Sequence, residues 1–336
     1  MTQIICGIDI SSTSLEARIG RDGAAGSFAN NPESIAELAA FCQSRQVDLV
    51  AMEATGGYEK QPFALLSEQG LAVTLLNPRA VRRFAEGMGL LEKTDALDAG
   101  VIAWFAEVKR SPPQALASAS QQQLRALVNR LRQLTALRTA QRNQSRLVTD
   151  AAVLAWFAEL LEVVARQVQE LESAIAVLIS QDPLWRKLDQ AFRSIKGVAD
   201  RTVARLMAEM PGSPATGLRR WGGMPEIGTL SNKAISKLAG VAPLAHDSGK
   251  LQGKRSVRGG RASVREILFV VAGVSGRYEP DFIAFHQRLQ AAGKPGKVIR
   301  IALAHKLRVR LNAKTREVRQ QFNAEPAARQ TAVLTT

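Results

Sequence analysis

Apolar runs and polar gaps divide the chain into stretches of different rhythm. Ile4–Ile10 is an almost continuous apolar run interrupted by Asp9, and Ser14–Ile19 alternates polar with apolar residues. Gly26–Asn30 is placed to pair beside it. An unbroken run suits a fully buried strand and a two-residue period suits a half-buried one, so three strands are predicted. Pro32–Gln46 then carries apolar residues at helical spacing. Asp48–Ala54 predicts a strand, Glu59–Gln69 a helix, and Leu71–Leu76 a strand bounded by Asn77-Pro78. Asp95–Lys109 predicts a helix that Ser111-Pro112-Pro113 closes. Three strands, then alternating helix and strand, predict a mixed α/β sheet flanked by helices.

From 119 to 181 almost no turn signal interrupts the chain before Asp182-Pro183. Leu161, Val164, Val168, Leu171, Ile175 and Leu178 recur at spacings of three and four, the seam of a coiled coil. Leu124, Leu127, Leu131 and Leu134 keep the same rhythm. Two such helices form either an intramolecular hairpin or a dimerisation arm, and the pattern is identical for both. Residues 188–320 are predicted to be mainly helical with Gly-rich interruptions, and the polar, Ala/Thr-rich end is predicted to fray. Ser194–Ala199, ahead of a predicted helix at Arg201–Met210, has the outline of a helix-hairpin-helix turn. Ala199 stands where a second glycine would let the backbone approach a phosphate, so packing is the expected role. The rhythms give four parts: 1–115, a coiled-coil spacer at 116–187, a helical domain at 188–320, and a flexible tail at 321–336.

Composition narrows the class. Apolar residues make up 46% of the chain, enough to bury sizeable cores. No apolar window has the length a bilayer span requires, and the start MTQIICGIDI lacks the charged region of a signal peptide. A cytoplasmic protein with no membrane partner is expected. Cys6 and Cys42, the only cysteines, read as small core residues in a reducing compartment, which excludes a thiolate zinc site.

The formal net charge of +15 is unevenly spread. Residues 1–110 hold 10 Lys/Arg against 14 Asp/Glu, whereas residues 250–310 hold 14 against 3. So dense a basic surface attracts polyanions, above all nucleic acid. Arg125, Arg130, Arg132, Arg138, Arg142 and Arg146 follow one another with no acid before Asp150. Lys250, Lys254, Arg255, Arg258, Arg261 and Arg265 are interleaved with Gly249, Gly253, Gly259 and Gly260, a pattern that brings backbone and guanidinium groups to phosphates. Lys294, Lys297, Arg300, Lys306, Arg308 and Arg310 continue the series. Few aromatics accompany them, which favours backbone contact over base stacking.

The acids carry the chemistry. Asp9 ends an apolar strand and precedes Ser11-Ser12-Thr13, a position shared by ribonuclease H/RuvC-like nucleases, where it binds metal, and by actin-like ATPases. Glu53 ends the second strong strand, and an acid in such a place is costly unless paired or metal-bound. Asp95 and Asp98 lie three apart at a helix start and share a face. First-turn acids also favour the helix dipole by themselves. Four carboxylates from two strands and a helix suit Mg²⁺ or Mn²⁺, hard cations that take oxygen ligands. Metal ions so held promote phosphodiester cleavage. No adenosine-binding Gly-rich segment follows, which disfavours the ATPase.

The series Gly7-Ile8-Asp9, Glu53-Ala54-Thr55-Gly56, Asn77-Pro78 and Lys93-Thr94-Asp95-x-x-Asp98-Ala99 resembles the DEDD transposases of the insertion sequence one-ten family. Leu238–Pro243, Asp247-Ser248-Gly249, Gly253-Lys254-Arg255, Gly259-Gly260-Arg261, Arg265 and Gly293-Lys294-Pro295 resemble its eleven-eleven subgroup. The resemblance runs from about residue 4 to 315. It implies a RuvC-like (ribonuclease H-like) first domain whose metal tetrad is Asp9, Glu53, Asp95 and Asp98. It also implies a C-terminal transposase domain in which Ser248 attacks DNA and forms a phosphoserine link. Further implied are a structured guide RNA that pairs with donor and target DNA, and a homodimer or homotetramer in which the serine of one subunit completes the metal site of another. The basic residues expected at nucleic acid are Lys93, Arg125, Arg132, Arg142, Lys254, Arg255, Arg258, Arg261, Arg265, Lys294 and Lys297. The alternative is a RuvC-like nuclease in which water attacks and Ser248 is structural; a non-catalytic nucleic-acid-binding protein is a third reading. Two departures stand out. Gly100 occupies a place where arginine is common in the family, and 212–223 reads as an extra segment.

Overall fold

A computed structural model describes the chain outside residues 1–2, 55, 91–94, 115, 210–225, 246, 249–250, 254 and 334–336. Side chains are additionally left aside at 95–97, 226, 251–252 and 325–333. Lys93, Lys254, His246 and the segment 212–223 therefore lie outside the described residues, as does the side chain of Asp95. The described residues form two compact units, one within 3–117 and the other made of 118–209 and 226–333.

The first unit starts with a meander, β1 (Ile5–Ile10), β2 (Ser14–Ile19) and β3 (Ala25–Ala29), as the alternation in the sequence predicts. Helix α1 (Pro32–Gln43) follows, capped by Asn31, whose side chain accepts from Ser34 N. Then come β4 (Leu49–Glu53), α2 (Lys60–Glu68), β5 (Val73–Leu76), α3 (Pro78–Gly87) and α4 (Asp95–Lys109). Helix α3 is not legible in the sequence reading, which stops at Asn77-Pro78. There Asn77 is the N-cap and Pro78 the first helical residue, a start signal rather than a stop. The strands form one sheet in the order β3-β2-β1-β4-β5, antiparallel across the meander and parallel from β1 through β4 to β5.

Strand alternation sends residues to opposite sides of this sheet. Cys6, Ile8, Ile10, Leu15, Ala17, Val50 and Met52 pack with Ile35 and Leu38 of α1 and Phe63 and Leu66 of α2. Ile5, Leu49, Ala51 and Leu76 pack with Val81 and Ala85 of α3 and Ile102, Ala103 and Ala106 of α4. Cys6 and Cys42 are free, buried thiols on the first of these sides. Hydrogen bonding with Cys42, then burial, pushes the Cys6 thiol well up.

The second unit opens with α5 (Ala119–Ser145) and α6 (Ala151–Gln181), which pack against each other as a hairpin within the chain. Leu124, Val128, Leu131 and Leu134 join Val164, Val168, Ile175 and Leu178 in one core. The coiled-coil seam of the sequence is thus filled inside the monomer. The same core continues through α7 (Pro183–Arg193) and α8 (Asp200–Glu209). Between them Gly197 takes φ 95°, and a Cβ there would stand 3.0 Å from Ser275 N, so the turn serves packing as its sequence suggests.

A single turn α9 (Glu226–Thr229) and α10 (Asn232–Leu238) lead to a narrow ribbon. In it β6 (Pro243–Leu244) pairs with β9 (Ser256–Val257), and β7 (Asp247–Ser248) pairs with β8 (Leu251–Gln252), both antiparallel. Helices α11 (Ala262–Tyr278), α12 (Pro280–Ala291) and α13 (Gly296–Val333) complete the unit. Position 321 falls inside α13, whose backbone is helical to Val333. No helix among the described residues is long and apolar enough to cross a membrane.

Candidate active site

The acids of the first unit are placed by sheet register. Strands β1 and β4 pair in parallel up to Ile8 and Met52, and one further residue along each brings Asp9 beside Glu53. Glu53 is itself in register with Leu76 of β5. Alternation puts Gly7, Asp9, Ala51 and Glu53 on the side of the sheet that α4 covers. Helix α4 lies against β1 so closely that a Cβ on Gly7 would stand 2.0 Å from the Ala99 carbonyl oxygen and 2.6 Å from Ala103 N. Asp98 immediately precedes Ala99 and is half-buried, as are Asp9 and Glu53. Asp95 starts the same helix one turn earlier. The sequence-predicted acids therefore come from two adjacent strand ends and the helix packed over them.

Their local partners are partly visible. Asp9 Oδ1 accepts from Ile10 N at 3.0 Å. Past Glu53 the chain turns through Gly56 (φ 77°) and Gly57 (φ 125°), and Gly57 N donates to Glu59 Oε2 at 2.7 Å. Glu16, which the sequence reading does not single out, is the cross-strand partner of Asp9 and takes a hydrogen bond from Ser27 Oγ at 2.6 Å. Hard carboxylate oxygens are the donor set a divalent cation such as Mg²⁺ takes. Among the described residues, no three Asp, Glu, His or Cys side chains converge closely enough to form a complete cage.

Gly100 has a physical explanation. A Cβ there would stand 2.4 Å from the Arg21 carbonyl oxygen and 3.1 Å from Arg18 Cδ. The β2–β3 turn occupies the space that a side chain would need, and Arg21 stacks on Trp104 one turn further along α4, 4.4 Å from its ring centroid.

In the second unit, Ser248 and Asp247 are exposed on β7, opposite the Leu251–Gln252 rung. The ribbon's base is fixed by glycines. A Cβ on Gly260 would meet Gly240 N at 2.4 Å, and one on Gly240 would meet the Gly259 carbonyl oxygen at 2.6 Å. Gly240 and Gly260 thus bring protein backbone to protein backbone, for Gly260 a different use from the expected phosphate approach, whereas a Cβ on Gly259 would meet nothing within 4 Å. Arg265 donates to the Gly259 carbonyl at 2.7 Å, and Arg261 to the Glu209 carbonyl at 2.6 Å. Arg255, Arg258, Lys294 and Lys297 are exposed, as are Arg125, Arg132 and Arg142 along α5. Arg125 Nε also donates to the Ala208 carbonyl at 3.2 Å. With Val128, Asn129 and Glu209, Arg125 and Arg261 line a cavity of about 260 Å³.

A buried polar cluster joins α10 to α13. Arg308 donates to Asn232 Oδ1 at 2.9 Å, Asn312 Nδ2 donates to the same oxygen at 3.1 Å, and Gly228 N donates to Asn312 Oδ1 at 2.7 Å. Burial, then the charge of Arg316, pushes the Arg308 guanidinium down to about 10. His305 Nε2 lies 3.1 Å from Ser236 Oγ, and burial followed by the charge of Arg308 lowers its pKa. The cluster pins the start of α10 to α13, and the imidazole belongs to that support.

Comparison with known proteins places these two units. A DEDD transposase model of the IS110 kind matches residues 6–154, which include all four acids. A second model, of the IS116/IS110/IS902 transposase family, matches residues 189–287, which include Ser248 and the ribbon. The chain carries both domains of an IS110-family transposase. A pilin gene-inverting protein of Moraxella lacunata is 28% identical to this transposase over 296 residues, covering 83% of the chain and 85% of the relative. Its counterpart in Moraxella bovis matches to the same extent. The transposase is thus a DNA transposase/recombinase enzyme, with its carboxylates and its ribbon serine in different matched domains.

Proposed function

We propose that this transposase cuts and rejoins DNA with a divalent metal, Mg²⁺ or Mn²⁺, held by Asp9, Glu53, Asp95 and Asp98, and with Ser248 as its nucleophile. The observation that carries the reading is the parallel register that seats Asp9 beside Glu53 on the sheet face covered by α4. A mixed sheet bearing acids at the ends of adjacent parallel strands agrees with a RuvC-like first domain. When bound, a metal supplies charge that stabilises oxygens during phosphoryl transfer. The protein's part is to hold carboxylates that would otherwise repel one another on adjoining elements.

Ser248 Oγ attacks a DNA phosphorus, an O–P bond forms, and the bond from phosphorus to the departing sugar oxygen breaks. The serine proton leaves to a base and the sugar oxygen gains one. Reversal with the hydroxyl of a different strand restores the serine and completes exchange without net hydrolysis. Exposure of Ser248 on a narrow ribbon is suited to approach by a duplex. The Moraxella relatives are named for inverting a gene, an outcome that needs strands to be rejoined, which favours exchange over hydrolysis. We further propose a structured guide RNA, and a dimer or tetramer in which one subunit's serine works with another's acids. The exposed arginines of α5 and the basic segment after the ribbon supply surface for two nucleic acids.

The test is capture of a protein–DNA adduct in Mg²⁺ with the full chain and its co-purified RNA. Wild type should give a phosphoserine at Ser248, and Ser248→Ala should give neither adduct nor exchange. Ser248→Ala that still hydrolyses DNA would mean that water is the nucleophile.

A further inference from the structure

We infer that the exposed face of α3, carrying Arg79, Arg82 and Arg83, is a docking surface for the backbone of the DNA strand being cut. The inference rests on the functional reading above and names the groups that bring that strand to its carboxylates. The need for such a surface follows from charge. Residues 1–110 carry 14 acids against 10 basic residues, and several of the acids sit where a phosphodiester must arrive. A polyanion is repelled from that edge unless cations stand beside it. Three of the ten basic residues fall within the five positions 79–83.

The location is set by register. Strand β5 ends at Leu76, the partner of Glu53, and Asn77 caps α3 with its side chain accepting from Arg79 N at 3.0 Å. Helix α3 therefore starts at the same edge of the sheet as Glu53, the last residue of β4, and Asp9, the last but one of β1. Its orientation is fixed by packing: Val81 and Ala85 are buried, and Phe84 meets Trp104 edge-on with ring centroids 4.8 Å apart. The opposite face, with all three arginines, is exposed. Arg82 pairs with Glu86 at 3.1 Å, whereas Arg79 and Arg83 form no ion pair among the described residues. Arg79 and Arg83 are i, i+4 neighbours, so they present two guanidiniums from one strip of helix to successive phosphates of one strand. DNA is the occupant because it is the substrate of the acids at this edge.

The experiment measures binding of the full chain to a fluorescein-labelled duplex of arbitrary sequence and, separately, to its co-purified RNA, across a salt series. In Arg79→Gln/Arg83→Gln the slope of log affinity against log salt for DNA should fall by about one per arginine, with RNA affinity unchanged. Cleavage should weaken at low DNA concentration and recover at saturating DNA. Glu86→Gln, which releases Arg82, should steepen the DNA slope. An unchanged DNA slope overturns the inference, and so does a loss confined to RNA. Asp9→Asn, run in parallel, isolates the underlying reading: it should abolish cleavage and leave the DNA slope intact. Cleavage surviving in Asp9→Asn would remove the metal role while the slope of the arginine variant still decides the docking surface.

Discussion

Gly7 faces Ala99 across a gap with no room for even a methyl group: a Cβ on Gly7 would stand 2.0 Å from the Ala99 carbonyl oxygen. This contact draws the start of α4, with Asp98, down onto β1, which carries Asp9 next to its last residue. Gly7→Ala should therefore push helix from sheet, destabilising the first unit by about 1–3 kcal/mol. Activity should fall further than the loss of folded protein explains, because the acids separate as well. Gly87→Ala is the control, since nothing lies within 4 Å of its Cβ position and its φ is not positive. Urea unfolding of the two variants beside wild type checks the difference.

The acid set predicts a thermodynamic signature independent of catalysis. Ligands that bind only the folded state raise its stability by mass action. Mg²⁺ should raise the melting temperature of wild type in a concentration-dependent way, and Asp9→Asn or Glu53→Gln should flatten that response. Calorimetric scans in Mg²⁺ and in chelator measure it. An equal rise in wild type and both variants would place the ion elsewhere.

His305 links stability to pH. Its pKa is lowered in the folded state, by burial first and the charge of Arg308 second. The unfolded chain then binds a proton that the folded chain resists, so stability is present above the ordinary histidine value and declines as pH falls below it. Urea midpoints should drop between neutral and mildly acidic pH in wild type. The drop should be smaller in His305→Gln. An identical decline in both proteins would assign the effect to other groups.

The hairpin separates two further outcomes. Leu124 is fully buried in the second unit's core, whereas Leu147, at the end of the hairpin, is 87% exposed. Leu124→Ala should cost about 2–5 kcal/mol, and Leu147→Ala should stay within about 0.5 kcal/mol of wild type. The cost of Leu124→Ala should not depend on protein concentration, because the seam is closed within one chain.

The parts of the fold legible in the sequence are those where one rhythm dominates. Ile5–Ile10 and Leu49–Glu53 are buried on both faces and read as apolar runs, and the acids that interrupt or end them mark the reactive edge. Helix α3 escaped because Arg79, Arg82 and Arg83 break up a short apolar stripe of Val81, Phe84 and Ala85. The ribbon around Ser248 escaped because rungs of two residues are too short to show a period. Gly260 reads as part of a phosphate cradle, yet its freedom from a side chain serves Gly240, a partner some 20 positions away that local pattern cannot reveal. Gly100 likewise depends on Arg21, from a turn nearly 80 residues earlier. The choice between hairpin and dimerisation arm was open because a heptad seam does not say which helix fills it.

The shared core of the second unit has a mechanical consequence. Val203 of α8, Ile235 of α10 and Val264 of α11 belong to the same packed cluster as Leu124 and Leu178 at the root of the hairpin. Helix α5, of 27 residues, is about 40 Å long. A close-packed core continuous with the hairpin's root resists swinging of the hairpin alone. A torque applied at its far end is delivered, through a stiff arm, to the platform on which the Ser248 ribbon stands.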